Sequence, residues 1–359
     1  MSFSATPANS ILSNQGAARR RTQPLSATTL NAGLLLALLA LALLSLAIGP
    51  VPLSLGEIAA ALLPGDAAGS ELLARQHAIV TEIRLPRVLL ALLVGASLGL
   101  SGAALQGLLR NPLAEPGLLG VSASASLGAV LCLYFGLAQI NEWLLPAAAM
   151  GCAALATLAL YLVARRAAGN LTLILAGVAL SALAGALTSL AINLAPNPTD
   201  VQDIVLWLMG SLADRSFADI RLCLPFIAAG MALLLACGRE LDALTLGEEE
   251  AASLGVNLRR LRAQIIVGSA LCVGASVAVT GAIGFVGLVV PHMLRRAVGF
   301  HPARLLASSA LGGAVLLLAA DVVLRLVSGG YELMLGVVTA LIGAPFFFLL
   351  VWRERGRPA

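Results

Sequence analysis

The sequence predicts an all-α polytopic membrane protein, a bundle of about ten transmembrane helices, and three observations carry that reading. Of the 359 residues, 59% are hydrophobic and only 11% charged, with a mean hydropathy of +0.96, whereas a soluble domain carries about 25% charged residues. Ten apolar runs recur along the chain, most of them near the roughly 20 residues that a spanning helix needs. The arginines collect in alternate connections between these runs, as the preference of cations for the cytoplasmic side requires. Aromatic residues make up only 4%. Leu, Ala, Val and Gly therefore supply the apolarity, which suits helices packed closely through small residues.

Residues 1–29 are rich in Ser, Thr, Ala and Asn and hold Arg19-Arg20-Arg21; this composition reads as a disordered cytoplasmic tail. The run Leu30–Gly49 is too long for a signal-peptide core and no small-residue cleavage site follows, so it is expected to stay as the first membrane helix. Further spans are expected at Val88–Leu109, Leu118–Leu137, Trp143–Val163, Leu171–Leu194, Leu222–Cys237, Ala263–Ile283, Phe285–Leu294, Leu305–Val327 and Leu333–Trp352. The eighth, Phe285–Leu294, is too short to span unaided. Residues 30–352 thus form one membrane domain, and 353–359 a second cytoplasmic tail. With one crossing per run and the first tail inside, 16 of the 22 arginines fall on the cytoplasmic side. Both termini are then cytoplasmic. Arg75, Arg84, Arg87, Arg215, Arg221 and Arg325 stay outside.

The stretch from Arg84-Leu-Pro-Arg87 to Gly120 is the most informative. Two arginines flank a proline, a small-residue helix follows, and Arg110-Asn111-Pro112-Leu113-Ala114-Glu115-Pro116-Gly117 interrupts it. Prolines stop helix continuation, and irregular backbone at membrane depth must be held by protein or face an aqueous cavity. Arg84, Arg87 and Arg325 sit at outer helix ends, where arginines either snorkel to headgroups or together make an electropositive rim. Asp321 lies inside an apolar run. It is either a functional acid or the ion-pair partner of Arg325, one helical turn on. Gly281, Gly284 and Gly287 allow close packing or a bend.

The longest cytoplasmic connection is residues 239–262. Glu248-Glu249-Glu250-Ala251-Ala252 reads as a short helix with acids in its first turn, matching the N-terminal dipole. Gly255 ends it and Asn257 can cap the next helix. Two short helices here would form either a rigid knob facing the cytosol or a plain solvated loop.

All 22 basic residues are arginine. A chain without lysine has neither a P-loop nor a Schiff base, which excludes a Walker-type ATPase and a retinal-type pump. Cys132, Cys152, Cys223, Cys237 and Cys272 are isolated and form no CxxC pair, and the three histidines are scattered. No catalytic or metal-ligating constellation is expected. An ion-coupled secondary transporter would need several membrane-embedded acids or histidines, and the chain offers little beyond Asp321. A membrane-embedded enzyme lacks paired acids or a nucleophile and base.

The segment Arg84–Gly120, together with Glu250-Ala251-Ala252-x-x-Gly255, resembles the permease subunits of ABC importers for cobalamin and iron chelates (siderophores, haem). The likeness runs from about Leu30 to Trp352. It implies the type II ABC importer permease fold, in a bacterial cytoplasmic membrane. By resemblance, Glu248, Glu249, Glu250, Ala251, Gly255 and Asn257 dock into an ATPase subunit. Arg84, Arg87 and Arg325 receive glutamates of a soluble substrate-binding protein. Asn111 and Leu113, with Asn170 and Leu171, narrow the cytoplasmic mouth of the pathway, and Ser122, Ser124 and Ser126 line a cavity. The implied partners are a second copy or close paralogue (a homodimer first), two ATP-binding subunits, the binding protein and membrane lipid, without nucleic acid. ATP and Mg belong to the partner, no cofactor to this chain. The implied cargo is a ferric siderophore, with haem and cobalamin as alternatives.

Overall fold

A computed structural model describes residues 26–62, 71–166, 170–328 and 333–354. The expected tails therefore lie almost wholly outside the described residues. In chain order the helices are α1 (Ala27–Ala47), α2 (Leu55–Leu62), α3 (Glu71–Ala78), α4 (Leu85–Leu109), α5 (Val121–Tyr134), α6 (Leu137–Ile140), α7 (Leu144–Arg166), α8 (Asn170–Asn193), α9 (Pro198–Leu208), α10 (Phe217–Ala236), α11 (Gly238–Leu244), α12 (Glu248–Ser253), α13 (Leu258–Thr280), α14 (Val286–Arg295), α15 (Pro302–Val327) and α16 (Leu335–Glu354). Among the described residues, seven helical stretches are long and apolar enough to cross a membrane. Shorter apolar helices α5, α14 and the apolar part of α16 complete the ten expected positions.

Burial sorts these helices into layers. The most apolar windows of α4 and α13 are 78% buried, while those of α1, α7 and α8 are 11–22% buried. A helix apolar on all sides has no amphipathic stripe to orient it. Small residues decide its place instead. Gly95 and Gly99 of α4 lie against the backbone of Gly313 and Ser309 of α15, and Gly102 meets the Gly287 carbonyl of α14. A Cβ at any of these positions would overlap backbone, so the close crossing depends on glycine. Ser97 of α4 and Ser276 of α13 share a buried hydrogen bond of 2.8 Å. Gly230 and Gly268 join α10 to α13 in the same way.

Two features depart from the sequence expectation and one follows it. The second span does not start at Val88: helix runs unbroken over Glu71–Leu109, 39 residues, through a π-helical turn at Ile79–Arg84. Pro86 directly follows this turn, at the second residue of α4, and the wider π-turn leaves room for a ring that would clash with a regular α-helical turn. Between α13 and α14 the chain bends, as the glycines there allowed. Gly281 has φ +70° and Phe285 φ +66°, and the left-handed region ends a helix. The bend shortens α14 to 10 residues. The second departure is Pro198–Leu208, an amphipathic helix buried at Ile204, too short and too polar to read as a membrane span.

Candidate functional site

The connection over residues 239–262 contains two short helices, α11 and α12, with tight turns at the ends of α12. Gly247 (φ +133°) precedes α12 and Gly255 (φ +89°) follows it. Asn257 caps α13 by accepting from the Arg260 amide at 3.0 Å. Glu249 and Glu250 are exposed, whereas Ala251 is fully buried beneath them. Leu246 and Leu254 are 64% and 66% exposed at the two ends of α12. Sequence inspection missed both; their signal was an apolar residue in an otherwise polar connection.

Three contacts anchor this segment. Glu248 accepts from Arg262 of α13 at 2.8 Å. Asp242 of α11 accepts from the Ala303 amide at 3.0 Å, capping the first turn of α15, where an acid also suits the dipole. Leu241, buried, packs against Gly107 of α4. The knob is thereby tied to α4, α13 and α15, three heavily buried helices. Asp242 was another residue that local sequence reasoning passed over, because its partner lies 61 positions away.

At the opposite end of α4 and α15 the arginines do not form a free rim. Arg84 is only 5% exposed and donates to the carbonyls of Leu46 and Ala47 at the end of α1 and of Val51 just past it. This corrects the expectation that it faces a partner. Burial holds a guanidinium inside only where acceptors match its fixed donors, and carbonyls at the helix end supply them. Asp321, fully buried, accepts from Arg87 through Nε (2.9 Å) and a terminal nitrogen (2.8 Å). It also pairs with Arg325 at 3.1 Å, the i,i+4 partner expected. Arg325 donates in addition to the Ser45 and Ile48 carbonyls and to the Ser45 hydroxyl. The result is a clamp joining α1, α4 and α15. The Arg87–Asp321 pair spans 234 positions, beyond the reach of helical spacing. Two guanidinium groups share one carboxylate, so the cluster keeps a net positive charge.

The foot of α4 forms the third part. Arg110 adopts φ +51° and the Asn111 amide returns to the Gln106 carbonyl at 3.2 Å, closing the helix end. The Asn111 side chain accepts from the Leu113 amide at 2.9 Å, an Asx turn that fixes both expected mouth residues. A 3₁₀ turn, Pro116–Leu119, then packs its Leu118 carbonyl on Gly177 of α8. Leu171 is exposed near the start of α8; the surroundings of the Asn170 side chain lie outside the described residues. Ser124 and Ser126 are buried and Ser122 partly so. Burial raises the Glu115 carboxyl above its usual range. Above the turn, Gln106 donates toward the carbonyls of Gly287 and Leu288 and accepts from Arg295 at 2.6 Å, locking α4 to α14. A lone Gln in an apolar run was its sequence signal. His292 stacks edge-on against Phe346, ring centroids 6.0 Å apart. Among the described residues no group of three His, Cys, Asp or Glu could hold a metal.

The model of the FecCD transport family matches residues 36–353. The ABC transporter permease protein YvrB of Bacillus subtilis is 45% identical over 282 residues, covering 77% of this chain and 79% of that protein. The vitamin B12 import system permease protein BtuC of Vibrio cholerae is 45% identical over 78% of this chain and 84% of its own length. The hemin transport system permease protein HmuU of Yersinia pestis is 41% identical, with 76% and 83% covered. A metal-chelate type ABC transporter solved in an inward-facing conformation superposes with a TM-score of 0.81 at 35% identity, covering 91% of this chain and 99% of the other. With these relatives and its helical membrane bundle, the chain belongs to the FecCD transport family.

Proposed function

We propose that the chain is the permease subunit of an ATP-driven importer that carries a large metal chelate across a bacterial cytoplasmic membrane. The observation that carries this reading is the anchoring of α11 and α12 to α4, α13 and α15. A partner pressing on α12 meets the acids Glu249 and Glu250 and the exposed Leu246 and Leu254. Force on this knob passes through Asp242 to the start of α15 and through Glu248–Arg262 to α13. The far ends of α4 and α15 are joined by Arg87, Asp321 and Arg325, so those helices shift together. Their movement changes the mouth at Asn111 and Leu113 against α8, which touches the 3₁₀ turn at Gly177. In this mechanism the chain performs no bond chemistry. ATP and Mg act on two partner subunits.

The working unit has two copies of the chain, both termini cytoplasmic, and a soluble binding protein outside. The exposed edge of Arg87 and the net charge of its cluster suit carboxylates of that protein. The cargo class comes from the names of relatives, BtuC for vitamin B12 and HmuU for hemin, and from the metal-chelate neighbour. A ferric siderophore is the first candidate. The test is uptake of labelled ferric siderophore, haem and cobalamin into proteoliposomes holding the chain with its cognate ATPase and binding protein. Uptake of one cargo that needs ATP and survives ionophores is expected. Uptake that ignores ATP and collapses with the ion gradient would establish the ion-coupled alternative instead.

A further inference from the structure

An apolar groove runs between α7, α10 and α13, with a volume of about 870 Å³. Met150, Gly151, Leu158, Phe226 and Leu271 line it, and Tyr161 closes one end. The same Tyr161 lines a second, smaller pocket of about 400 Å³, whose walls carry Arg165, Arg259, Arg260 and Arg262. The Arg165 guanidinium lies 5.8 Å from the Tyr161 ring centroid. Arg262 is taken up by Glu248. Among the described residues no carboxylate stands within ion-pair distance of Arg165, Arg259 or Arg260. An apolar slot and an unneutralised cationic pocket therefore share one aromatic residue.

We propose that this paired site holds an anionic phospholipid, its phosphate among Arg165, Arg259 and Arg260 and one acyl chain along α7 toward Gly151. The dimensions agree. The groove is lined from Trp143 to Tyr161, roughly 27 Å at ~1.5 Å per residue, so a chain one leaflet deep, half of a hydrocarbon core of roughly 30 Å, fills its Tyr161 half and ends near Gly151. Guanidinium forks favour phosphate oxygens, and basic pockets at the cytoplasmic face of helix bundles select acidic headgroups. A zwitterionic lipid would carry its own ammonium into the arginines. Free phosphate would satisfy the arginines and leave the groove empty. The site is built from α7 and α13, and the Glu248–Arg262 pair beside it links it to α12. Occupancy would stiffen the base on which the coupling segment stands. Only the choice of leaflet rests on the proposed orientation; binding itself does not depend on the import reading.

The experiment uses the full-length purified chain without ATPase, delipidated in detergent and titrated with dioleoylphosphatidylglycerol or dioleoylphosphatidylethanolamine under native mass spectrometry. At least tenfold tighter binding of the glycerol lipid is expected. Arg165→Gln with Arg259→Gln and Arg260→Gln should abolish that preference while leaving ethanolamine-lipid binding unchanged. Gly151→Phe, whose Cβ meets open space, should fill the groove and weaken the glycerol lipid with all arginines intact. Arg→Lys at the same three positions should restore most of the preference, separating charge loss from misfolding. Equal affinity for the two lipids overturns the proposal, and so does a preference that survives the Gln variant. Competition by millimolar inorganic phosphate with no effect of Gly151→Phe would reduce the site to an anion pocket and likewise overturn it.

Discussion

The clamp of Arg87, Asp321 and Arg325 that joins α4 to α15 makes the sharpest prediction. Asp321 is fully buried and receives two guanidinium groups, one of them through two nitrogens. Removing one member of a buried pair costs about 3–5 kcal/mol, because the other charge is left without compensation. Asp321→Asn should sit at that level, since it strands Arg87 and Arg325 together, both largely buried. Arg87→Gln should cost less, about 1.5–3 kcal/mol, the range for hydrogen bonds to a charged group, because Arg325 still pairs with the carboxylate. In the double variant the costs should not add. A coupling of roughly 1–3 kcal/mol is expected for residues in one network. The assay is reversible unfolding in mixed micelles for wild type, each single variant and the double. Additivity within about 0.5 kcal/mol would refute the clamp. An Arg87→Gln variant of wild-type stability that binds the soluble partner more weakly would mark Arg87 as a docking residue alone.

The remaining expectations concern the coupling segment, the helix crossings and the mouth. Gly255→Val forces a β-branched residue to φ +89°, a strained conformation; it and charge reversal at Glu248–Glu250 should each lower ATPase capture in detergent at least tenfold while membrane insertion persists. Gly102→Ala places a methyl group on the Gly287 carbonyl and should sharply reduce the yield of monodisperse protein, whereas Gly185→Ala, which meets nothing within 4 Å, should not. Burial raises the Glu115 carboxyl, so the folded state binds its proton more tightly than the unfolded chain. Stability contributed at this site is then highest below the usual carboxylate range and falls as pH rises toward the raised value. Glu115→Gln should therefore stabilise the protein near neutral pH and leave it unchanged in acid, as read from unfolding midpoints across a pH series.

Composition alone placed the chain in a membrane, since so apolar a sequence cannot present enough polar surface to water. Run lengths marked ten apolar segments, seven of them helices long enough to cross a membrane among the described residues, and glycine, asparagine and acid positions marked out the short helix Glu248–Ser253 and its caps, because those signals act within one turn of backbone. The Asp321–Arg325 pair was legible for the same reason: i and i+4 share a helix face. The reach of the second helix was not, because Pro86 reads as a boundary until a π-turn accommodates it. Neither was the inward turn of Arg84, nor the link from Arg87 to Asp321, nor Asp242 at the start of α15. Each joins residues tens to hundreds of positions apart. An apolar helix gives no stripe to say which side faces protein and which faces lipid. That choice was made by backbone contact at Gly95, Gly99 and Gly102. Once those crossings are set, the arginines at the helix ends meet carbonyls and a buried acid rather than open water, and only the tertiary structure could decide it.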